Sequence, residues 1–422
     1  MDNRYFPLFP KLYTGAHKDK STMSASMVFM TGGEAYSSVP MANEAEKNIG
    51  YPALFGKNVD KQGHLDLDKI DLAIQSLTGN GTLLTNPFQT GTNADVNIEA
   101  HLQAQGFSFA GNVPVTSHFS LGWSAIFMRV IGEARLSLTV DAAQRMNMVE
   151  LDATGKYVVT DTGQMEFVDN LSRIQKALDM NDNVWINSGS GDVVVYGSWY
   201  NSQQYLWKCR TVDFSLSVGA MIPVGETAII DNIASVPFGG RGHWGWFAMP
   251  HLELELRDDL KVGLMGRLSK RFKKTKEMRV PILDESPLFA PYKAKVDVTP
   301  GTTVTVSPYA VFEHVRSGFG MELKYTVTYH EGDTFVDART DTTQKIKLRR
   351  LVSNNDNVHA ATDFSEWIQE YATIKIVYDI GFGKDWRYRP MFNFTWDIPV
   401  NYVAGEGFAK THGISLGCNF NF

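Results

Sequence analysis

The side chains of this chain that could act on a solute are charges set at every second position of otherwise apolar stretches. Asp213, Glu253, Glu255, Lys261, Arg267, Arg271, Glu313, Glu322, Lys324, Lys375, Asp379, Arg387, Arg389 and Asp397 each fall on the parity opposite a run of aliphatic or aromatic residues. In a two-faced strand, that spacing gathers them on one side. Facing lipid, an Arg or Lys near the bilayer midplane would cost about 2–4 kcal/mol. Facing a lumen, it pairs or touches water. Such a lining selects solutes by width and field rather than transforming them. The competing reading is a set of structural ion pairs that brace or plug a narrow lumen. The signs are balanced, so no preference for anions or cations follows.

Other chemistry is weakly represented. His251, Glu253 and Glu255 share a face and could hold a divalent cation, but Lys261 lies across from Glu255 and strand spacing is unspecific for metals. No metal and no cofactor is expected. His314 and His412 lie on the outward parity without a nucleophile in register. Asp258-Asp259 reads as turn chemistry. No phosphate loop, zinc motif or hydrolase elbow is present, and no enzyme activity is expected. The basic run Lys345-Ile346-Lys347-Leu348-Arg349-Arg350-Leu351 would lie in an outer loop, where it binds anionic lipopolysaccharide, folds inward as a constriction, or is simply solvated.

The elements that must position these charges are strands. The chain has 422 residues, a net charge of −6 and 12% aromatics. The charge leaves no nucleic-acid footprint, and no apolar run approaches the ~20 residues of a membrane helix. Half-apolar strands still permit a membrane barrel. Met1–Pro7 has no apolar leader core, which suits a mature form with its signal removed. Strands are expected at about 22–31, 94–110, 115–142, 192–200, 205–222, 243–257, 260–274, 302–315, 318–331, 367–382, 386–402 and 409–422. That makes twelve, although 14 or 16 fit the same grammar. The phase of alternation slips near Gly106 and again within 115–142, which predicts bulges. Short turns are expected at Gly111-Asn112, Asn201–Gln204, Arg257–Asp259, Val315–Gly318 and Gly383–Asp385. Long insertions fall at 32–93, with a helix over His64–Leu77, and at 143–191, with a hairpin near Lys156–Val168 and a helix near Leu171–Leu178.

Two hairpins allow registers. Facing positions must share a side, which sets Glu255 opposite Lys261 and Asp379 opposite Arg389. Residues 386–402 would span roughly 55 Å at about 3.3 Å per residue, far longer than the strands of a soluble sandwich. Pro250, Pro308 and Pro390 fall inside strands, where each removes a ladder donor and predicts a bulge or a broken pair. Cys209 and Cys418 are expected on opposite sides of the wall, unable to form a disulfide.

The last eight residues, Ser415-Leu416-Gly417-Cys418-Asn419-Phe420-Asn421-Phe422, alternate polar and apolar and end on an aromatic. With Gly417, Phe420 and Phe422 in these places, the pattern resembles the C-terminal insertion signal of bacterial outer-membrane β-barrels. Together with the strand-turn grammar over about the last 230 residues, the resemblance extends to porins by elimination. It implies an all-β, antiparallel up-and-down barrel over residues 1–422, with residues 1–21 as an N-terminal segment. It also implies an outer-membrane location, contact with the lipid bilayer and lipopolysaccharide, handling by the barrel-assembly machinery, and passive diffusion of small hydrophilic solutes. A homo-oligomer is compatible with it. The alternatives are a surface adhesin or scaffold whose long loops bind a partner, and a plugged, FadL-like ligand transporter.

Overall fold

The computed structural model describes residues 3–7, 21–36, 48–55, 65–79, 81–85, 88, 95–180, 183–205, 209–280, 286–338, 365–383 and 389–421. Twelve antiparallel strands close into a barrel: β1 (Thr22–Gly32), β2 (Asp95–Thr116), β3 (Phe119–Leu138), β4 (Val193–Gln204), β5 (Thr211–Ile222), β6 (Gly245–Arg257), β7 (Leu260–Arg271), β8 (Thr302–Arg316), β9 (Phe319–His330), β10 (Trp367–Asp379), β11 (Arg389–Pro399) and β12 (His412–Asn421). Every strand pairs with its sequence neighbours, and β12 pairs with β1 to close the ring. The closing strand is the two-faced C-terminal stretch. Met23, Ala25, Met27 and Phe29 of β1 turn outward beside Leu416 and Phe420 of β12, while Ser24, Ser26, Ser415 and Asn419 turn inward. Closure leaves no exposed sheet edge, so every wall strand finds ladder partners on both sides.

The twelve strands are those expected, and all short connections lie at one end. Several details differ. β2 runs through Gly111-Asn112 to Thr116, and the turn is Ser117-His118. Gly111 stays in the ladder because the Trp123 indole of β3 lies against it, leaving no room for a Cβ. Asn201–Gln204 are not a turn. β4 continues to Gln204 and the connection is 205–210, because polar residues at a strand end signal water rather than a bend. Cys209 sits in that connection, outside the strand parity from which its orientation was inferred, and Cys418 faces outward. In the β6–β7 hairpin Glu255 does pair with Lys261, with a bulge at Glu255/Arg257. In the β10–β11 hairpin Asp379 pairs with Met391, and Arg389 pairs with Asn421 of β12. The expected pairing was off by two residues. A slip of two keeps every side chain on its face, so alternation cannot detect it.

The three prolines cause no bulge. Pro250 and Pro308 face outward, and the ladders beside them lapse for two residues and then resume in the same register. Pro390 pairs with Phe420 near the barrel rim.

The expected phase slips at Gly106 and within 115–142 are absent. β2 and β3 stay in register from Val96↔Leu138 to Pro114↔Ser120. What changes is the surroundings. Below the Gly106↔Met128 pair, outward residues are apolar (Phe107, Phe109, Phe127, Trp123) and inward ones polar (Ser108, Asn112, Ser120, Ser124). Above it, outward residues are polar (Gln103, Gln105, Arg129, Arg135) and inward ones apolar (Leu102, Ala104, Val130, Leu136). The inversion marks the height at which lipid gives way to water outside, and polar lumen gives way to apolar packing inside. Phe119 to Phe127 rise about 20 Å along the membrane normal at a tilt of ~40°, close to the apolar band of a bacterial barrel.

The apolar packing is built by the long connections. Helix α1 (Leu67–Thr78) buries Leu67, Ile70 and Ile74, and α3 (Asp161–Ala177) buries Phe167, Leu171 and Ile174. They join Tyr51, Phe88, Phe238, Phe289 and the upper inward residues of β1–β3 in one core. Helix α2 (Val140–Arg145) follows β3 directly, N-capped by Thr139. α3 starts earlier than its apolar period suggests. The Thr160 side chain accepts from the Gly163 amide, so the expected hairpin at Lys156–Val168 survives only as Val149–Leu151 against Tyr157–Val159. Residues 184–190 add a strand against upper β3, joined to β4 through a bulge at Gly191-Asp192. No helix among the described residues is long and apolar enough to cross a membrane.

Candidate functional site: the barrel lumen and its mouth

The inward parity carries the charges singled out above. Asp213 (β5), Glu253 and Glu255 (β6), Lys261 (β7), Glu313 (β8), Glu322 and Lys324 (β9), Lys375 and Asp379 (β10) and Asp397 (β11) all lie on it in the short-turn part or middle of the lumen. Arg389 shares that parity through its backbone pairing, and its side chain lies outside the described residues, as do Arg387, Phe422 and the basic run 345–351. Gly417 faces inward and Phe420 outward.

Five of these charges are engaged with one another. Lys261 meets Glu313 at 2.8 Å rather than its cross-strand partner Glu255. Lys375 and Lys324 converge on Glu322 at 3.0 and 3.7 Å. Thr373 donates to Asp397 at 2.8 Å. Arg267 is 5% exposed, over the Phe247 ring and against Met221 Sδ. Arg271 lies higher, at the mouth, paired with Asp192 at 2.8 Å beneath the Gly191-Asp192 bulge. It belongs to the mouth rather than to the lumen proper.

His251 is not offered as a metal ligand. Its Nε2 bonds the Tyr309 hydroxyl, which donates to Glu253 at 2.6 Å, and Ser215 lies 3.4 Å from Nδ1. No cluster of three metal-type ligands occurs among the described residues. Two aromatic rings reach across the wall, Tyr196 over Gly122 and Tyr309 over Gly263. A Cβ at either glycine would stand within 2.3 Å of the ring, so only glycine fits there.

Much of the rest of the lining is hydroxyl and amide, beside an inward apolar cluster of Val194, Met221, Phe247, Met249 and Met265. Thr305 and Ser307 of β8 bond Thr328 and Thr326 of β9 at 3.1 and 3.0 Å, and Ser198 bonds Ser217 at 2.6 Å. Charge-based reading passed over these residues. Their signal was present as alternate Ser and Thr at 303–307 and 326–328.

The mouth at the long-loop end is filled. Residues 3–7 lie inside it, buried throughout. The Asn3 amide donates to the Pro237 and Gly239 carbonyls, and Arg4 donates to the Leu54 carbonyl. The carbonyls of Arg4, Tyr5 and Phe6 accept from the Ala409 amide, Thr411 Oγ1 and Gln369 Nε2. The apolar core packs around this strap. The sequence marks residues 1–21 as an N-terminal segment and does not place residues 3–7 inside the mouth, because an irregular stretch has no period.

Cations gather at one turn of the mouth. The turn 239–243 places Arg241 and Gly242 in the left-handed region, at φ 56° and 77°. Its carbonyls draw in cations: Lys276 donates to Arg241 O, Lys274 to Gly242 O at 3.0 Å and Arg271 to His243 O at 2.9 Å. Burial, with Arg241 and Lys274 nearby, lowers the Lys276 ammonium to about 7, and burial beside Lys276 lowers His243 to about 4. Asp333 is held down to about 2 against the cost of burial by His330 and Arg241. A lysine whose folded value lies below its unfolded 10.5 destabilises the fold below the folded value, and the loss is relieved as pH rises between about 7 and 10.5. Lys276→Met is therefore expected to stabilise the protein by about 1–2 kcal/mol at pH 6 and by little near pH 10. Thermal melts at the two pH values check this, and an equal gain at both would refute the account.

A closed up-and-down barrel with an apolar outer belt, short turns at one end and long loops at the other is the architecture of a bacterial outer-membrane β-barrel, and this chain has that fold. No family model and no curated protein matches the chain. Among solved structures it is similar to an outer membrane channel from Pseudomonas putida F1, at 9% identity and a TM-score of 0.48, covering 99% of this chain and 100% of that one. It is also similar to the translocator domain of autotransporter NalP from Neisseria meningitidis, at 7% identity and 0.35 over 96% and 90% of the two chains. A third is a Pseudomonas aeruginosa FadL homologue, at 10% and 0.27 over 96% and 90%. At such scores these likenesses define no relationship.

Proposed function

We propose that this barrel is an outer-membrane channel for small hydrophilic solutes, closed at rest on the long-loop side by its own N-terminal strap and loop core. The burial of residues 3–7 inside the mouth, above a lumen lined by hydroxyls and paired charges, carries this reading. An apolar solute would find little to bind in the short-turn half. A polar one exchanges water for Thr, Ser and Asn side chains at little cost. Opening requires the strap to leave, since it crosses the mouth between Gly239, Leu54 and β10. Asn3, Gln369 and Thr411 supply four of its hydrogen bonds.

The test is single-channel recording in a planar bilayer. The full chain is expected to stay closed or flicker. Removal of residues 3–7, or the triple variant Asn3→Ala, Gln369→Ala, Thr411→Ala, is expected to give long, steady openings. Silence from both variants, with the barrel intact by heat-modifiable gel mobility, would rule the reading out in favour of a surface-binding role.

A further inference from the structure

One carboxylate stands on the lipid side of the wall. On β10, Gln369, Tyr371, Thr373 and Lys375 turn inward, so Glu370 turns outward with Ala372, Ile374, Ile376 and Tyr378. It pairs with Val327 of β9, which is also outward. Eight residues separate it from Tyr378, about 20 Å along the membrane normal at a tilt of ~40°. That is the rise of the apolar run from Phe119 to Phe127, so Glu370 sits at the upper edge of the belt. A bare carboxylate is unfavourable there, yet Glu370 is 0% exposed.

The connection from β11 to β12 covers it. The Glu370 carboxylate accepts from the amides of Tyr402, Val403 and Ala404 at 2.9, 3.2 and 2.6 Å, and from the Tyr325 hydroxyl at 2.6 Å. Strand β10 also holds both ends of this excursion. The Val400 amide donates to the Glu370 carbonyl at 3.0 Å, and Glu406 and Ile368 exchange amide hydrogen bonds at 2.9 Å. Because the carboxylate points away from the lumen, the amides that meet it lie outside the barrel. The stretch Asn401-Tyr402-Val403-Ala404-Gly405 carries no charged side chain. Its tip presents Tyr402 and Val403, 79% and 74% exposed, among the most exposed apolar side chains of the described residues. Four residues further up β10, Glu366 accepts from the Tyr329 hydroxyl at 2.8 Å and is left open to solvent. Of these two tyrosine–carboxylate pairs, only the one level with the belt is capped.

We propose that residues 401–405 are a membrane anchor that enters the outer leaflet where headgroups meet acyl chains, with Glu370 as its latch. The occupant of the exposed surface of Tyr402 and Val403 is lipid, because that surface continues the apolar belt formed beside it by Tyr325, Trp396 and Ile398. Tyrosine favours this depth, since its ring is apolar and its hydroxyl reaches water or a headgroup. The latch works in both directions. Three backbone amides are spared from facing lipid unpaired, and they in turn satisfy a carboxylate that would otherwise need water. Anchoring requires that the wall stand in a bilayer, and it does not depend on conduction.

The experiment is spin-label accessibility in the full chain, folded into phosphatidylcholine vesicles with Cys209→Ser and Cys418→Ser. A nitroxide is attached singly through Tyr402→Cys, through Phe109→Cys in the belt, or through Leu151→Cys in the exposed outer hairpin. At 402 and 109, oxygen is expected to relax the label more than a water-soluble nickel chelate does, and at 151 the order should reverse. Adding Glu370→Gln should reverse the order at 402 and leave 109 as it was, which shows that the variant has inserted. Where Glu370→Gln prevents insertion, Tyr325→Phe removes one of the four donors and should lower the oxygen preference at 402. An aqueous reading at 402 beside a lipid reading at 109 overturns the anchor and leaves the barrel and its channel reading standing. An oxygen preference at 402 that neither variant alters overturns the latch, and the proposal with it.

Discussion

Arg279→Met is expected to loosen the loop core by about 3–5 kcal/mol while the barrel wall survives. The Arg279 guanidinium is buried and gathers three long connections at one point. It donates to the carbonyls of Ile230 at 3.0 Å, Ala290 at 2.9 Å and Leu178 at 2.9 Å, and to Asp231 at 2.6 Å. Methionine fills much of the same volume, so packing is largely kept and the loss isolates the polar contacts. Three carbonyls, two of them buried, would lose this donor, and Asp231 would keep Lys293, 2.8 Å away. Breaking a buried charge from its partners costs in this range because the remaining groups stay desolvated. Burial raises the Asp231 carboxyl, and Lys293 and Arg279 together outweigh it and hold the group low. Removing Arg279 should let it rise. Hydrogen exchange resolves the outcome: amides of α3 and of 286–299 should lose protection, while those of β8–β10 keep theirs. Unchanged protection over the loops would show that Arg279 clamps nothing.

Trp123→Arg is expected to cost about 2–4 kcal/mol and to impair insertion, whereas Glu133→Arg, ten residues along the same face of β3, should be close to neutral. Trp123 points outward within the Phe119–Phe127 run, where the wall meets acyl chains. Glu133 points outward too, but above the Gly106↔Met128 inversion, where the wall meets water. Folding yield into vesicles, and denaturant titration of what inserts, compares the two. Equal penalties would move the boundary above Glu133 and remove the argument that the upper half of β2–β3 stands outside the bilayer. The complementary change, Val130→Asp, should hurt although it lies above the membrane, because its inward side chain is 0% exposed in the loop core.

These two expectations rest on features of unequal legibility. The twelve strands could be read directly, because a wall between oil and water imposes a period of two on every strand that crosses it. The inward placement of Asp379 followed from the same rule, and its partner did not: the pairing with Met391 differs from the expected one by a shift that parity cannot register. The apparent phase slip at Gly106 is the most instructive case. Apolar residues change from even to odd positions there, and a bulge is the local explanation. The backbone does nothing. The environment on both faces inverts at once, and that requires knowing that loops fill the upper lumen while water replaces lipid outside.

The site followed the same division. Single residues with the right chemistry, such as Glu322, Lys375 and Asp397, stood out by their position opposite an apolar face. The residues that close the mouth did not. Asn3, Gln369 and Thr411 are unremarkable in type and come from distant parts of the chain, and the cations Arg241, Lys274 and Lys276 belong to a turn and a short strand that alternation assigns to loops.

By itself, then, the order of residues determined which face of most crossing strands is apolar and at which end the long loops gather, and it put the number of crossings at twelve with 14 or 16 still open. These are consequences of solvent on either side of a strand, and solvent preference is a property of each residue. Whether the lumen is open, what pairs with what across it, and where charge accumulates at its mouth were decided only by the tertiary structure. Those outcomes depend on which segments meet in space, and ring closure brings together residues that the chain separates by hundreds of positions.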